Sequence, residues 1–134
     1  SGLLEGALLH NDTQKFICKN VFLKPVSKSA APSQDLDPSH AYQIPIAHGE
    51  GRFYADETTM ASLHANDQIL FTYCAADAST DASSNPNGSL QNIAGITNRG
   101  KNVFGMMPHP ERATSSALSN IDGKKVFEIL GLKN

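Results

Sequence analysis

The sequence has few cysteines, no long apolar stretch and no excess of basic residues. Two cysteines, Cys18 and Cys74, are too few for a disulfide framework or for a zinc site with four cysteine ligands. They favour a reducing compartment, and we expect a cytoplasmic protein. No stretch approaches the roughly 18 apolar residues that a membrane-spanning helix needs. A formal net charge of −2 argues against binding to nucleic acid or to a membrane surface.

The sequence contains enough apolar material for one globular domain. Its 134 residues are 40% hydrophobic and 18% charged, which is an ordinary balance for a folded domain. We therefore interpret residues 1–134 as a single domain. Apolar periodicity predicts both strands and helices. The predicted strands are residues 7–11, 15–23, 42–47, 68–74, 93–97 and 103–107; the predicted helices are residues 57–66 and 121–130, the second capped by Gly131.

Three local patterns carry further expectations about the strands. Pro45 cannot donate a ladder hydrogen bond, so its strand should lie at an edge or a bulge. Residues 98–101 have the chemistry of a hairpin turn, in which Asn98 and Gly100 are suited to positive φ. Residues 103–107 are continuously apolar, which predicts a strand that is buried on both faces.

A histidine and a carboxylate follow that last strand. His109 and Glu111 are two residues apart, so in extended backbone they face the same side. Pro108 and Pro110 stiffen the segment around them. A carboxylate beside an imidazole fixes its tautomer and stabilises its protonated form, which serves catalysis when a thiol or hydroxyl is within reach. From the spacing alone, a rigid proline-flanked turn with an exposed histidine and glutamate is favoured over a catalytic pair.

A second histidine and glutamate, His48 and Glu50, alternate with Gly49 and Gly51. This pattern fits either a substrate-binding loop or a glycine-rich bend with a hydrogen-bonded histidine. The residue types at 85–89 predict a turn. This turn could be purely structural, or it could lie at the mouth of a substrate pocket or at a partner interface. The two His–Glu pairs together would suit zinc or iron, but nothing in the sequence brings them to one place, and we expect no metal.

We predict structural rather than catalytic roles for the remaining cysteine and histidine side chains. We expect both cysteines to be buried small hydrophobes rather than nucleophiles. We expect His10, His40 and His64 to be surface or capping residues.

Residues 105–112, which read Gly-Met-Met-Pro-His-Pro-Glu-Arg, resemble the carboxy-terminal signature of class I glutamine amidotransferases. Three further stretches make the likeness more specific. Residues 16–18 read Phe-Ile-Cys, residues 45–51 read Pro-Ile-Ala-His-Gly-Glu-Gly, and residues 85–96 run from Asn-Pro-Asn-Gly-Ser to Ile-Ala-Gly-Ile. Together they resemble the glutaminase family of phosphoribosylformylglycinamidine synthases over essentially the whole chain.

This resemblance implies an α/β fold with a flavodoxin-like sheet, of which the chain holds the later, mixed or antiparallel strands and two helices. It implies hydrolysis of glutamine to glutamate and ammonia through a cysteine thioester. His109 would activate the thiol and protonate the leaving ammonia, and Glu111 would orient His109. The loop of His48, Gly49 and Glu50 would lie near the glutamine pocket.

The same resemblance implies partners that this chain does not contain. Ammonia would pass to a large synthetase subunit, which uses ATP and Mg²⁺ to convert formylglycinamide ribonucleotide to its amidine for purine biosynthesis. A small accessory subunit would assist the assembly. The chain itself would carry no cofactor.

One family feature is absent from the sequence. The nucleophilic cysteine of the family lies in a Gly-x-Cys-Asn-Gly elbow, and neither Cys18 nor Cys74 lies in such a motif. We therefore expect the carboxy-terminal part of the glutaminase domain, lacking its amino-terminal half, inactive alone and exposing an apolar face. Two alternatives stay open: a non-catalytic module that binds the synthetase, and a free-standing hydrolase that uses Cys74 with His109.

Overall fold

An antiparallel sheet of five strands forms the centre of the computed structural model, which describes residues 2–118 and 120–129. Its strand order is β3-β2-β5-β6-β7, and β1 pairs separately with β4. The strands are β1 Ala7–Leu9, β2 Ile17–Pro25, β3 Tyr42–His48, β4 Arg52–Tyr54, β5 Ile69–Cys74, β6 Ile93–Thr97 and β7 Phe104–Met106; the helices are α1 Glu57–Ala65 and α2 Asp122–Ile129.

The alternation of side chains along β2 and β3 creates the main core. Val21 lies opposite Ile44 and Leu23 lies opposite Tyr42 in the antiparallel register, so all four side chains share one face of the sheet. All four are buried. β3 is an edge strand of the described sheet, which confirms the expectation drawn from Pro45.

Helix α1 covers the opposite face, near β5 and β6. Its N-cap is Asp56, whose carboxylate accepts a hydrogen bond from the Thr59 amide at 2.7 Å, satisfying one of the unpaired donors of the first turn. Met60 and Leu63 are buried in a cluster with apolar residues of these two strands. Helix α1 ends one residue earlier than predicted, with Asn66 as its C-cap.

Helix α2 is tied to the edge of β3. Its first residue, Asp122, accepts a hydrogen bond from the Gln43 amide at 2.9 Å. Val126 is buried in the main core, and the ammonium of Lys125 lies 5.3 Å from the centre of the Tyr42 ring. The predicted end of this helix at Leu130 and its predicted cap at Gly131 lie outside the described residues.

Three expectations about strands were wrong or incomplete. β7 is the outermost strand of the described sheet, and Phe104 is 40% exposed, so residues 103–107 are not buried on both faces. In the hairpin before β7, the residue with positive φ is Lys101, at 57°, whose ammonium donates to the Asn66 carbonyl at the end of α1. The three-residue strand β4 was not predicted.

None of the helices within the described ranges is long and apolar enough to cross a membrane.

Candidate active site

The segment that follows β7 joins the two ends of the sheet. The Met107 amide donates to the Ala94 carbonyl of β6 at 3.1 Å, whereas the His109 amide donates to the Pro45 carbonyl of β3 at 2.8 Å. Two residues of chain span at most about 7 Å. The sheet must therefore curl so strongly that β6 and β3 approach each other, and His109 lies at the seam between them.

The histidine and the carboxylate meet directly. His109 Nδ1 lies 2.8 Å from Glu111 Oε1. The backbone is not extended as predicted, because Pro110–Arg112 form a 3₁₀ turn, and the turn carries Glu111 back to the imidazole. The side chain of His109 is about one third exposed and that of Glu111 is more than half exposed. The pair is thus open to solvent and to a reactant.

The contact determines which nitrogen of the neutral His109 imidazole carries the hydrogen. An ionised carboxylate can only accept hydrogen bonds, so Nδ1 of His109 carries the hydrogen. Nε2 then keeps its lone pair, which is the atom a general base needs. Glu111 also stabilises the imidazolium that forms when Nε2 takes up a proton.

His48 and Glu50 separate in the structure. His48 is 6% exposed and points into the fold, whereas Glu50 is exposed and lies 3.4 Å from the equally exposed His10. Gly49 contributes its carbonyl, which accepts from the Asn11 amide at 2.9 Å. The geometry is that of a glycine-rich bend with a hydrogen-bonded histidine. The described contacts do not bring Glu50 to the His109–Glu111 pair.

Asn11, which the sequence did not single out, organises this bend. Its side-chain amide donates to the carbonyls of Lys15 and His48, at 2.8 and 2.9 Å. Its oxygen lies 3.0 Å from His48 Nδ1 and accepts from the Gly51 amide at 3.3 Å. All four hydrogen-bonding positions of the side chain are therefore used. Because most asparagines lie in exposed turns, the residue type gave no signal of this role.

The predicted turn at residues 85–89 closes over the same bend. Asn87 is buried, and its side-chain amide donates to the Gly51 carbonyl at 2.8 Å. The Ser89 hydroxyl accepts from the Phe53 amide at 3.0 Å. Asn85 holds the turn itself, since its oxygen accepts from three consecutive amides. The two motifs that looked separate in sequence form one hydrogen-bonded clamp around Gly51.

Neither cysteine is placed as a nucleophile for His109. Cys74 is buried, and burial raises the pKa of its thiol to about 11, the opposite of what a reactive thiolate requires. Cys18 is exposed rather than buried as expected. No hydrogen bond within the described residues joins either thiol to His109.

The described residues contain no group of three or more histidine, cysteine, aspartate or glutamate side chains placed to hold a metal ion. They do contain an apolar groove of about 240 Å³ between β1 and the sheet. Its lining includes Leu4, Leu8, Phe53, Ile96 and Met106.

Comparison with known proteins places this geometry in context. A family model described as a CobB/CobQ-like glutamine amidotransferase domain matches residues 4–128. A protein of Chlorobium chlorochromatii (strain CaD3) named phosphoribosylformylglycinamidine synthase subunit PurQ is 48% identical over 130 residues, which are 97% of this chain and 56% of that protein. The protein of the same name from Nostoc sp. (strain PCC 7120) is 49% identical over 128 residues, 96% of this chain and 54% of its own length.

A solved structure gives the same result in three dimensions. The structure of PurLQS from Thermotoga maritima has a chain that superposes with a TM-score of 0.76 at 40% sequence identity, covering 98% of this chain and 55% of that one. The chain therefore spans little more than half the length of the relatives that it matches.

Proposed function

Since the chain belongs to the CobB/CobQ-like glutamine amidotransferase family, we propose that it forms part of the glutamine amidotransferase subunit of a phosphoribosylformylglycinamidine synthase. The complete subunit hydrolyses glutamine to glutamate and ammonia for purine biosynthesis in the cytoplasm. The observation that carries the proposal is the 2.8 Å contact between His109 Nδ1 and Glu111 Oε1, in a chain 48% identical to a subunit of that name.

The His109–Glu111 pair supplies the proton transfers of this reaction. A cysteine thiol loses its proton to Nε2 of His109, and the sulfur attacks the side-chain carbonyl carbon of glutamine. The imidazolium, stabilised by Glu111, returns the proton to the nitrogen of the amide, which leaves as ammonia. Water then attacks the thioester, with His109 again taking a proton, and glutamate leaves as the thiol re-forms.

We place the nucleophilic cysteine in the part of the relatives' length that this chain does not span. The burial and raised pKa of Cys74 support that placement. So does the lack, within the described residues, of any hydrogen bond from Cys18 to His109. The pair at the seam is thus two thirds of a catalytic triad.

We further propose that the ammonia passes to a synthetase partner. The neighbour from Thermotoga maritima comes from a structure titled PurLQS, and the proposal extends such an assembly to this chain. The synthetase subunit would bind ATP and Mg²⁺, and a small accessory subunit would complete the complex. In that scheme, this chain itself binds no cofactor.

Release of glutamate from glutamine tests the proposal. The complete polypeptide encoded by the reading frame, assembled with its synthetase, should release glutamate, whereas the 134-residue chain alone should release none. Cys18→Ser and Cys74→Ser should leave the rate of the complete polypeptide unchanged. If the 134-residue chain alone released glutamate and Cys74→Ser abolished that release, the chain would instead be a free-standing hydrolase. A complete polypeptide that binds the synthetase without any turnover would identify a non-catalytic module.

A further inference from the structure

We propose that the first turn of α2 fixes the geometry of the His109–Glu111 pair, and that Gly123 and Asp122 are therefore positioning residues for glutamine hydrolysis. The inference rests on the proposed function and adds to it two residues that act through the backbone. Its basis is the close packing of α2 against the 3₁₀ turn Pro110–Arg112, which carries the glutamate.

Gly123 lets α2 lie directly on that turn. It is the second residue of the helix and is buried. A Cβ at this position would lie 2.9 Å from the Ala113 carbonyl oxygen and closer still to the carbonyl oxygen of Pro110. Both oxygens belong to the backbone, so neither could rotate away as the end of a side chain does. A helix normally favours alanine over glycine, and here the missing Cβ is what permits the contact.

A hydrogen bond joins the same two segments. The Lys124 amide, in the first turn of α2, donates to the Ala113 carbonyl and shares its hydrogen with the Ile121 carbonyl, at 3.1 Å in each case. Amides of a first turn have no acceptor four residues earlier within their own helix. The Ala113 amide in turn donates to the Pro110 carbonyl at 3.0 Å. The backbone around Glu111 is therefore fixed to α2.

Helix α2 is itself fixed to the strand edge that holds His109. The Asp122 carboxylate accepts from the Gln43 amide at 2.9 Å, and the Asn120 side-chain amide donates to the Gln43 carbonyl at 2.6 Å. Two residues further along β3, the Pro45 carbonyl accepts from the His109 amide at 2.8 Å. Backbone groups two residues apart on a strand point to the same side, so one edge of β3 supports both attachments.

These contacts close a ring that contains the catalytic pair. Strand β3 holds His109 directly and holds Glu111 through α2. The described partners of the Glu111 carboxylate are His109 itself and the exposed Arg112, 4.0 Å away, so the backbone of the turn sets its position. A displacement of about 1 Å in a reacting group can lower a rate by about 100-fold. The position of α2 therefore controls the rate of proton transfer.

Gly123→Ala tests the close packing, and Lys124→Ala is its matched control. Both variants put alanine in the first turn of α2, but only the first places a methyl group against the catalytic turn. The ammonium of Lys124 is exposed and lies 3.8 Å from the Glu128 carboxylate. In the complete polypeptide assembled with its synthetase, Gly123→Ala should lower kcat for glutamate release by roughly 10- to 100-fold with little change in KM. Lys124→Ala should match the wild type.

A second pair of variants covers the case in which Gly123→Ala does not fold. Asp122→Ala removes the acceptor of the Gln43 amide and should lower kcat, whereas Asp122→Asn keeps a side-chain oxygen there and should recover most of the loss. Amidine formation from added ammonia should stay at the wild-type rate in all of these variants.

A folded Gly123→Ala with the wild-type kcat would overturn the proposal, as would equal rates for Asp122→Ala and the wild type. An equal loss with glutamine and with added ammonia would also overturn it, because the substitutions would then act on the whole assembly. An inactive wild-type complex would instead refute the proposed function.

The tautomer of His109 reports the geometry without an assay of turnover. Side-chain ¹⁵N spectra of the unsubstituted chain, with the ring neutral, should show the hydrogen on Nδ1, which faces Glu111. Gly123→Ala should convert this single tautomer into a mixture, whereas Lys124→Ala should keep the wild-type spectrum. An unchanged His109 spectrum in Gly123→Ala would overturn the proposal whatever the activity of the complex.

Discussion

At the scale of single residues, the chemistry depends on how a carboxylate is presented to an imidazole. Glu111 is more than half exposed, so its attraction to the imidazolium is screened by water in the chain as described. The same contact becomes more effective when a bound reactant excludes that water. Substitution of Glu111 should therefore change the turnover rate rather than the folding stability.

Glu111→Gln should lower kcat for glutamine hydrolysis by about 100-fold or more, with little change in KM, because the neutral amide neither stabilises the imidazolium nor enforces the tautomer. Arg112→Gln is the matched control in the same turn. Its guanidinium lies 4.0 Å from Glu111 with both groups exposed, and its loss should leave kcat unchanged. Steady-state glutamate release measures both variants, and equal rates for Glu111→Gln and the wild type would remove Glu111 from the mechanism.

His48 should make folding stability depend on pH. Its pKa in the fold is below the ordinary value of 6.5 because burial disfavours the charged ring. Its contribution is therefore complete above about pH 6.5 and is lost as the pH falls toward the folded pKa, since the unfolded chain then binds a proton that the fold does not.

Urea midpoints at pH 7.5 and pH 5.5 should differ more for the wild type than for His48→Asn, because the variant has no titrating group at this position. The five aspartates with lowered pKa values titrate below this window and are common to both proteins. Parallel pH dependence in the two proteins would show that His48 titrates normally in the fold.

At the scale of elements, the clamp around Gly51 connects three segments that are far apart in the chain. Asn87→Ala should destabilise the fold by about 1–3 kcal/mol, because the buried Gly51 carbonyl loses the closer of its two donors and keeps only the Ser89 hydroxyl at 3.4 Å. Thr80→Ala, at an exposed position of the same connection between β5 and β6, is the control and should have little effect. Chemical denaturation measures both, and equal stability of the two variants would show that the clamp contributes nothing to the fold.

The positions of the strands along the chain were easier to predict from the sequence than the neighbours that each strand has in the sheet. Aromatic and β-branched content located β2, and the long apolar run located β5. The burial of residues 103–107 was wrong because an apolar run specifies no neighbour, and β7 has a partner on only one side of the described sheet. Strand β4 was missed because three residues carry too little periodicity to be recognised.

The candidate site was likewise predicted only in part. His109 and Glu111 were predicted to face one side, and they do meet, although through a 3₁₀ turn instead of an extended strand. Proline content predicted stiffness but could not distinguish these two shapes. The role of Asn11 depends on a contact 37 residues away, and single-sequence patterns hold no information about such pairs.

At the scale of the whole molecule, the described part of the chain leaves large apolar side chains in water beside an unpaired strand edge. Leu8 is 52% exposed and Tyr54 is 48% exposed, and both belong to the β1–β4 pair next to the apolar groove. Strand β7, which carries Phe104, is the outermost strand of the described sheet. Exposed apolar surface at an open strand edge promotes association between copies.

Purified chain should therefore self-associate in sedimentation experiments, and Phe104→Lys should raise the dissociation constant roughly tenfold, because it removes one large apolar side chain from the contact and adds a charge. Val26→Lys, at an exposed apolar position just after β2 and away from the outermost strand β7, is the control and should leave association unchanged. A monodisperse, stable wild-type monomer at high concentration would contradict this expectation.

In the proposed function, His109 and Glu111 serve glutamine hydrolysis and not the later use of ammonia. The most direct measurement compares the two nitrogen sources in the complete polypeptide with its synthetase, with and without His109→Asn. The variant should lose glutamine-dependent amidine formation by at least about 100-fold, while formation from added ammonia stays at the wild-type rate. Retention of the glutamine-dependent rate would refute this role of His109, as would an equal loss with both nitrogen sources.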